Sequence, residues 1–224
     1  MSDFINLSYC LSADLTAYGN GERFSADFVK SISSGDSSNN SFLRFSAHLG
    51  THIDFPFHFC NDGKKSSDYF LKDFIFNNIA IIEVDVDDNN IIINDGLKIK
   101  CQNIPENINF LLIKTGYSDF REKEKYWNCN LGFHPSLAAF LKSKFPLLRS
   151  IGFDSISLSS YKYRELGREA HKEFLCKHNI LIIEDMDLSG VDSKSQIKQI
   201  IAVPLLIKEL DASPVNVIAE IING

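Results

Sequence analysis

Ser46-Ala47-His48-Leu49-Gly50-Thr51-His52-Ile53-Asp54-Phe55-Pro56-Phe57-His58 gathers three of the chain's six histidines and one aspartate into a single short stretch. His48, His52, Asp54 and His58 all fall at even positions. Side chains alternate along extended backbone, so these four would share one face while Leu49, Ile53, Phe55 and Phe57 take the other. A strand that is apolar on one face and His/Asp on the other points to a bound cation. Neutral imidazole and carboxylate are zinc ligands, and carboxylates also suit manganese.

Spacing sharpens the reading. His52 and Asp54 stand about 6.6 Å apart along a strand, so both can reach one ion. His48 and His52 would be about 13 Å apart on a straight strand, near the limit for a shared ion. Gly50 lies between them, and a glycine in a strand marks a bulge or bend that would fold His48 back. Pro56 cannot donate to a ladder, so it should end regular pairing and swing His58 over the site.

Outward from this stretch, β-branched runs predict strands over Ile5–Ser8, Phe42–Ala47, Ile79–Val86, Phe110–Lys114, Ile180–Glu184, Ile200–Leu206 and Val215–Ile222. Helical patterns cover Phe24–Lys30, Ser136–Lys144 after Pro135, and Tyr163–Lys177, where Leu166, Ala170 and Phe174 keep helical spacing. Ser31–Ser41 reads as an exposed loop. Strands arrive consecutively in the first half, so strict βαβ alternation fails. The expectation is one α/β domain over residues 1–224, with a mixed sheet flanked by a few helices.

Composition bounds the function. The chain has 224 residues, 44% apolar and 23% charged, the balance of a globular domain. Its net charge of −6 argues against a nucleic-acid binder, which needs a basic surface. No apolar run is long enough for a membrane span. Met1-Ser2-Asp3-Phe4 lacks the pattern of a signal peptide, which suggests the cytoplasm. Five widely spaced cysteines, Cys10, Cys60, Cys101, Cys129 and Cys176, are expected to be reduced thiols without a disulfide scaffold.

The segment HLGTHIDFPFH resembles the HxGTHxDxPxH signature of the metal-dependent cyclase/hydrolase family, which includes bacterial kynurenine formamidases and isatin hydrolases. Ile5-Asn6-Leu7-Ser8 through Tyr18-Gly19 is similar to that family's N-terminal "DLS…P…yPG" segment, with Asn6 for the usual Asp. Leu111–Tyr117 resembles its "lirTGw" element and Gly152-Phe153-Asp154-Ser155 its "GiDs" element. Val203-Pro204-Leu205 with Ser213-Pro214-Val215 resembles its "lPl…g.PvR" stretch, with Asn216 for the usual Arg. After Asp154, which is assigned a structural turn role, the Pro and Asp common in the family are absent.

The resemblance implies a cyclase-like swivelling β/β/α fold and a site for one or two divalent ions, usually zinc, sometimes manganese. His48, His52 and Asp54 would hold one ion, with Asp54 shared to a second held by His171 and Glu184. His58 would be the general acid/base and Tyr18 would line the substrate site. His171 and Glu184 are 13 residues apart, one more than the pattern leads us to expect, and His178 competes for the late histidine position. The implied substrate is a small-molecule amide: an N-formyl arylamine such as N-formylkynurenine, or a cyclic amide or lactone as in isatin hydrolases. The implied assembly is a homodimer or higher homo-oligomer. A metal-binding homologue without turnover and a thiol hydrolase using Cys60 with His58 are the competing classes.

Overall fold

Short runs of β-branched and aromatic residues fit a pleated, half-buried surface, and most of this chain's strands join in one sheet. The computed structural model describes residues 2–86 and 92–222, so Met1 of the N-terminal stretch lies outside them. The strands in chain order are β1 (Ser2–Asn6), β2 (Ser25–Lys30), β3 (Asn40–Arg44), β4 (His52–Asp54), β5 (Ile75–Phe76), β6 (Ile79–Glu83), β7 (Ile92–Ile93), β8 (Phe110–Lys114), β9 (Gly132–Phe133), β10 (Ser150–Phe153), β11 (Leu181–Glu184), β12 (Ile197–Pro204) and β13 (Ala212–Ile222). The helices are α1 (Asp95–Lys100), α2 (Lys125–Asn128), α3 (Ser136–Lys144) and α4 (Arg164–His171).

Nine strands form a mixed sheet in the order β5-β12-β13-β4-β11-β10-β8-β6, with β1 paired to β13. The parallel half, β6-β8-β10-β11, meets an antiparallel half at β4. The edge strands β5 and β6 follow one another in sequence, so the sheet nearly closes on itself. On one face, Leu111, Ile113, Ile151, Phe153 and Ile182 pack with Leu137 and Leu141 of α3 and with Ala170 and Phe174. On the other, Ile53, Phe55, Leu112 and Ile183 pack with Phe76, Ile200 and Val217. The result is the mixed α/β single domain expected. Among the described residues no helix is long and apolar enough to cross a membrane.

Two elements depart from the sequence expectation. Phe24–Lys30, read as helical, is strand β2, hydrogen-bonded antiparallel to β3 in a hairpin outside the main sheet. Its Phe28 and Val29 are adjacent apolar residues, as in a strand with no buried face; both are exposed, as are Phe42 and Leu43 opposite. The Tyr163–Lys177 helix is composite. A 3₁₀ turn leads into α4, and Lys172–Lys177 continues as π-helix, with the His178 N–H donating to the Glu173 carbonyl five residues back. That wide turn absorbs one residue more than an α-helical turn of the same rise, and it falls between His171 and Glu184, where the sequence counts one too many.

Register sets the site. In β4, His52 lies opposite Glu184 of β11 and Pro214 of β13, and Asp54 lies opposite Ile182 and Ala212. Cross-strand partners share a face, so His52, Asp54 and Glu184 emerge together toward the helical layer while Ile53 and Ile183 enter the opposite core. Helix α4 approaches that face closely because of Gly167. A Cβ there would lie 2.2 Å from Ser159 Oγ and 2.6 Å from Ser159 Cα, so no larger residue fits without moving the helix that carries His171.

Candidate metal centre and active-site cavity

Only His52–Asp54 of the histidine-rich stretch forms a strand. The chain turns at Gly50, whose φ of +67° is the left-handed conformation that glycine adopts without penalty. An added Cβ would also sit 2.7 Å from Leu11 Cδ2. His48 therefore reaches the site from the turn and not along a shared strand face, which corrects the single-face picture while keeping the bend assigned to Gly50. Beyond β4, Pro56 opens a 3₁₀ turn, Pro56–His58, that brings His58 beside His48, with ring centroids 4.2 Å apart.

Four histidines and three carboxylates meet here. His52 Nε2 is 3.5 Å from Asp54 Oδ1 and 3.4 Å from Glu184 Oε2. His171 Nε2 is 3.6 Å from Asp54 Oδ2 and 3.4 Å from Glu184 Oε1. His48 Nδ1 is 3.1 Å from Asp54 Oδ1, in ion-pair range but outside hydrogen-bond geometry. Ligand atoms of His48, Asp54 and His58 lie within 4.8 Å of one another, as do those of His52, Asp54 and Glu184; Asp54 belongs to both groups. His171, not His178, enters the site; His178 lies at the helix end, 3.9 Å from Glu173.

The donor set fits a cation on its own chemistry. His52 Nδ1 donates to the Gly50 carbonyl at 2.8 Å, and His171 Nδ1 donates to the Gly167 carbonyl at 2.9 Å. In the neutral imidazole each Nε2 then carries a lone pair, and both lone pairs face carboxylate oxygens. His52 Nε2 and both Asp54 oxygens are buried and have no hydrogen-bond partner. Buried polar groups are otherwise almost always satisfied, so converging unsatisfied lone pairs mark a site for positive charge. Backbone carbonyls behind imidazole ligands are the orientation that metal sites use. Glu184 is held from behind by the Leu158 N–H at 2.6 Å and Ser157 Oγ at 3.3 Å.

These residues line a cavity of about 250 Å³, whose walls also include Tyr18, Phe59, Ile156, Arg164 and Arg168. Phe59 stacks on the His171 ring at 4.7 Å, and Tyr18 packs edge-on to Tyr161 at 5.7 Å. Burial pushes the Tyr18 hydroxyl up to about 12. Asp154 is placed elsewhere: it accepts from Thr115 N and Oγ1 and from Gly116 N, tying down the turn after β8.

Asp211 was missed by the sequence reading. Its Oδ2 lies 2.9 Å from His48 Nε2 and 3.2 Å from His58 Nδ1, accepting from both. The signal was thin: an acidic residue at the mouth of the Ser213-Pro214-Val215 stretch, whose neighbour Ala212 pairs with Asp54 only once β13 is in place. The cysteine expectation also needs correction. Cys60 and Cys176 form a disulfide, with Cα atoms 6.0 Å apart, while Cys10, Cys101 and Cys129 remain free. Their 116-residue separation hides the pairing, which exists only because the His58 turn packs on the π-helical segment after His171. A bonded Cys60 removes the thiol-hydrolase reading.

Electrostatics tie the site to pH. Burial pushes His48 and His171 down, but the Asp54 and Asp211 charges raise His48 to about 10, and the Asp54 and Glu184 carboxylates raise His171 to about 9. Burial and the Asp54 charge push Glu184 up; His171 and His52 outweigh them and bring it to about 2. In metal-free protein the raised histidines stabilise the fold fully below their ordinary value of 6.5, and that contribution is lost as pH rises through 9 to 10. The lowered Glu184 contributes above 4.5 and loses its contribution as pH falls toward 2. Thermal denaturation of chelator-treated protein should therefore give its highest Tm between about pH 4.5 and 6.5 and a decline toward pH 10; a flat Tm from pH 6.5 to 10 would contradict this charge arrangement.

Residues 5–160 match the Cyclase family model, described as "Putative cyclase". The kynurenine formamidases of Bacillus cereus and Bacillus anthracis are each 31% identical over 217 residues, spanning 97% of either chain. Isatin hydrolase A from Labrenzia aggregata shares the fold, with a TM-score of 0.80 at 19% identity over 99% of this chain and 94% of that one. A potential metal-dependent hydrolase with cyclase activity superposes at a TM-score of 0.74 and 21% identity over the full length of both. With the family model matching residues 5–160 and relatives 31% identical over 97% of its length, the chain belongs to the Cyclase family.

Proposed function

We propose that this protein is a metal-dependent amide hydrolase acting on an N-formyl arylamine, the reaction class of its kynurenine formamidase relatives. The observation that carries the reading is the shared, unsatisfied Asp54 carboxylate at the floor of a cavity with aromatic walls. Asp54, His48, His52, His171 and Glu184 would hold one or two divalent ions, zinc being the metal best matched to an imidazole–carboxylate set, with manganese the alternative. Such an ion lowers the pKa of water toward neutrality and polarises a carbonyl.

The chain's own groups supply the rest. Tyr18, Phe59 and Ile156 offer apolar surface for an aryl ring. His58 is held by Asp211 through Nδ1, which leaves Nε2 to exchange a proton. In this assignment His58 takes a proton from the attacking water as the carbon–oxygen bond forms. It then delivers that proton to the departing nitrogen as the carbon–nitrogen bond breaks, giving formate and an arylamine. Asp211 keeps the ring in place through both transfers.

Because ligand atoms of His58 also lie near those of His48 and Asp54, two variants separate proton transfer from ligation. His58→Ala should retain metal while kcat for an aryl formamide falls about 10²–10⁴-fold. His52→Ala should lose metal and turnover together. Metal analysis beside steady-state kinetics reads both. Loss of metal in His58→Ala would make His58 a ligand, and full metal with no turnover of any formyl amide by the unmodified protein would favour a non-catalytic homologue.

We also propose a homodimer. The β2–β3 hairpin stands outside the main sheet with Phe28, Val29, Phe42 and Leu43 exposed on its two faces, and an isolated two-stranded hairpin is marginal in water without packing. Sedimentation at micromolar concentration should show a dimer, and Phe28→Asp with Phe42→Asp should shift it to monomer. A monomer in the unmodified protein would contradict this.

A further inference from the structure

Asp185 directly follows Glu184, is only 1% exposed, and lines no part of the cavity. Its backbone has a φ of +53°, in the left-handed region. That conformation is unfavourable for an L-residue and persists where the surroundings hold it. Here a buried ion pair holds it. Arg121 Nε donates to Asp185 Oδ1 at 3.1 Å, Arg121 Nη2 donates to Oδ2 at 2.7 Å, and the Tyr126 hydroxyl donates to Oδ1. Burial and the Asp185 charge keep the Tyr126 hydroxyl well above its ordinary value, so it stays a donor. The Arg121 guanidinium also lies over the Tyr9 ring, 3.6 Å from the centroid. A planar fork gripped on two prongs and stacked on one face has a single orientation.

The backbone of Asp185 carries that grip to the ligands. Its carbonyl accepts from Thr51 Oγ1, and its N–H donates to the Ser155 carbonyl at 2.9 Å. Thr51 Oγ1 also accepts from the Tyr9 N–H at 3.0 Å, and the Thr51 carbonyl accepts from the Val215 N–H at 3.0 Å. Thr51 precedes His52 and Asp185 follows Glu184, and His52 and Glu184 are the last pair of the β4–β11 ladder. Ladders open most readily at their ends. The Thr51–Asp185 bond closes this end, and Arg121 and Tyr126 fix Asp185 from outside. The base of the clamp is itself tied down: Arg121 follows the 3₁₀ turn Tyr117–Phe120, and Asp154 holds the residues before that turn through Thr115 and Gly116.

We propose that Arg121 is a positioning residue for the metal centre: through Asp185 and the Thr51 hydroxyl it fixes the separation of His52 and Glu184, without touching the cavity. This role rests on the metal reading above and deepens it.

The test measures zinc affinity by competition with a chromogenic chelator, and the visible spectrum of the cobalt-substituted protein, which reads ligand geometry. Arg121→Met leaves the Asp185 carboxylate buried without its cation; it should weaken zinc binding about 10–100-fold, the usual worth of a residue that orients metal ligands, and alter the cobalt spectrum. Arg121→Lys keeps the charge without the fork and should fall between. Arg149→Met is the control for general destabilisation. Arg149 is also half-buried, and its guanidinium donates to the Asp73 and Ile75 carbonyls away from the site. It should lower Tm while zinc affinity and the cobalt spectrum stay as in the unmodified protein.

A folded Arg121→Met protein whose zinc affinity is within about threefold of the unmodified protein, far short of the loss such residues cause, would overturn the proposal, as would an equal loss in Arg149→Met. If Arg121→Met does not fold, Arg121→Lys decides, and an unchanged affinity and spectrum there overturns it. Amide exchange of the metal-free protein reads the clamp without any ion: in Arg121→Lys the Asp185 and Val215 amides should exchange at least about tenfold faster while Ile201 in β12 is unchanged. If the unmodified protein binds neither zinc nor cobalt, the metal reading fails, and unchanged exchange at Asp185 and Val215 would then overturn the clamp separately.

Discussion

Both oxygens of the Asp54 carboxylate are buried without a hydrogen-bond donor, and the rest of the site is arranged around them. His48 and His52 approach one oxygen and His171 the other. Burying an uncompensated carboxylate is costly, and a chain that keeps one at the centre of its sheet needs positive charge there. In metal-free protein that charge is the protons held by His48 and His171. A divalent ion supplies it more directly and leaves the imidazoles neutral, the state in which they ligate.

The fold serves this constraint. Strand β4 is only three residues long but is paired on both edges, to β11 and β13, so His52 and Asp54 cannot drift relative to Glu184 and Asp211. From the other side, Gly167 lets α4 lie against Ser159, and the Cys60–Cys176 bond links the segment after His58 to the segment after His171. The two halves of the site come from chain regions more than a hundred residues apart, and the disulfide and the sheet hold them at one separation. The same helix that brings His171 into the site places Arg164 and Arg168 in the wall of the same cavity.

How much of this could be read from sequence follows physical range. The even spacing of His48, His52, Asp54 and His58 is local, and it announced a cation site even though a turn at Gly50, not a straight strand, brings His48 in. Strand β8 was legible to the residue because Phe110–Lys114 is buried almost throughout and reads as a continuous apolar run. Asp211 and the disulfide were not legible, since each depends on pairing between distant segments that no local pattern encodes. The extra residue between His171 and Glu184 could be counted but not explained until the π-helical turn showed where it is stored. Phe24–Lys30 was misread because its apolar residues suit either period, and only its pairing with β3 decides.

The most direct measurement is zinc bound by the unmodified protein and by Asp54→Asn, by elemental analysis after equilibrium dialysis against buffered zinc, with circular dichroism to check that both are folded. Asparagine keeps the shape and removes the charge that both ligand groups share. The account predicts one or two zinc ions per chain in the unmodified protein and none retained by Asp54→Asn. A folded Asp54→Asn protein that binds zinc at the unmodified stoichiometry and affinity would contradict it.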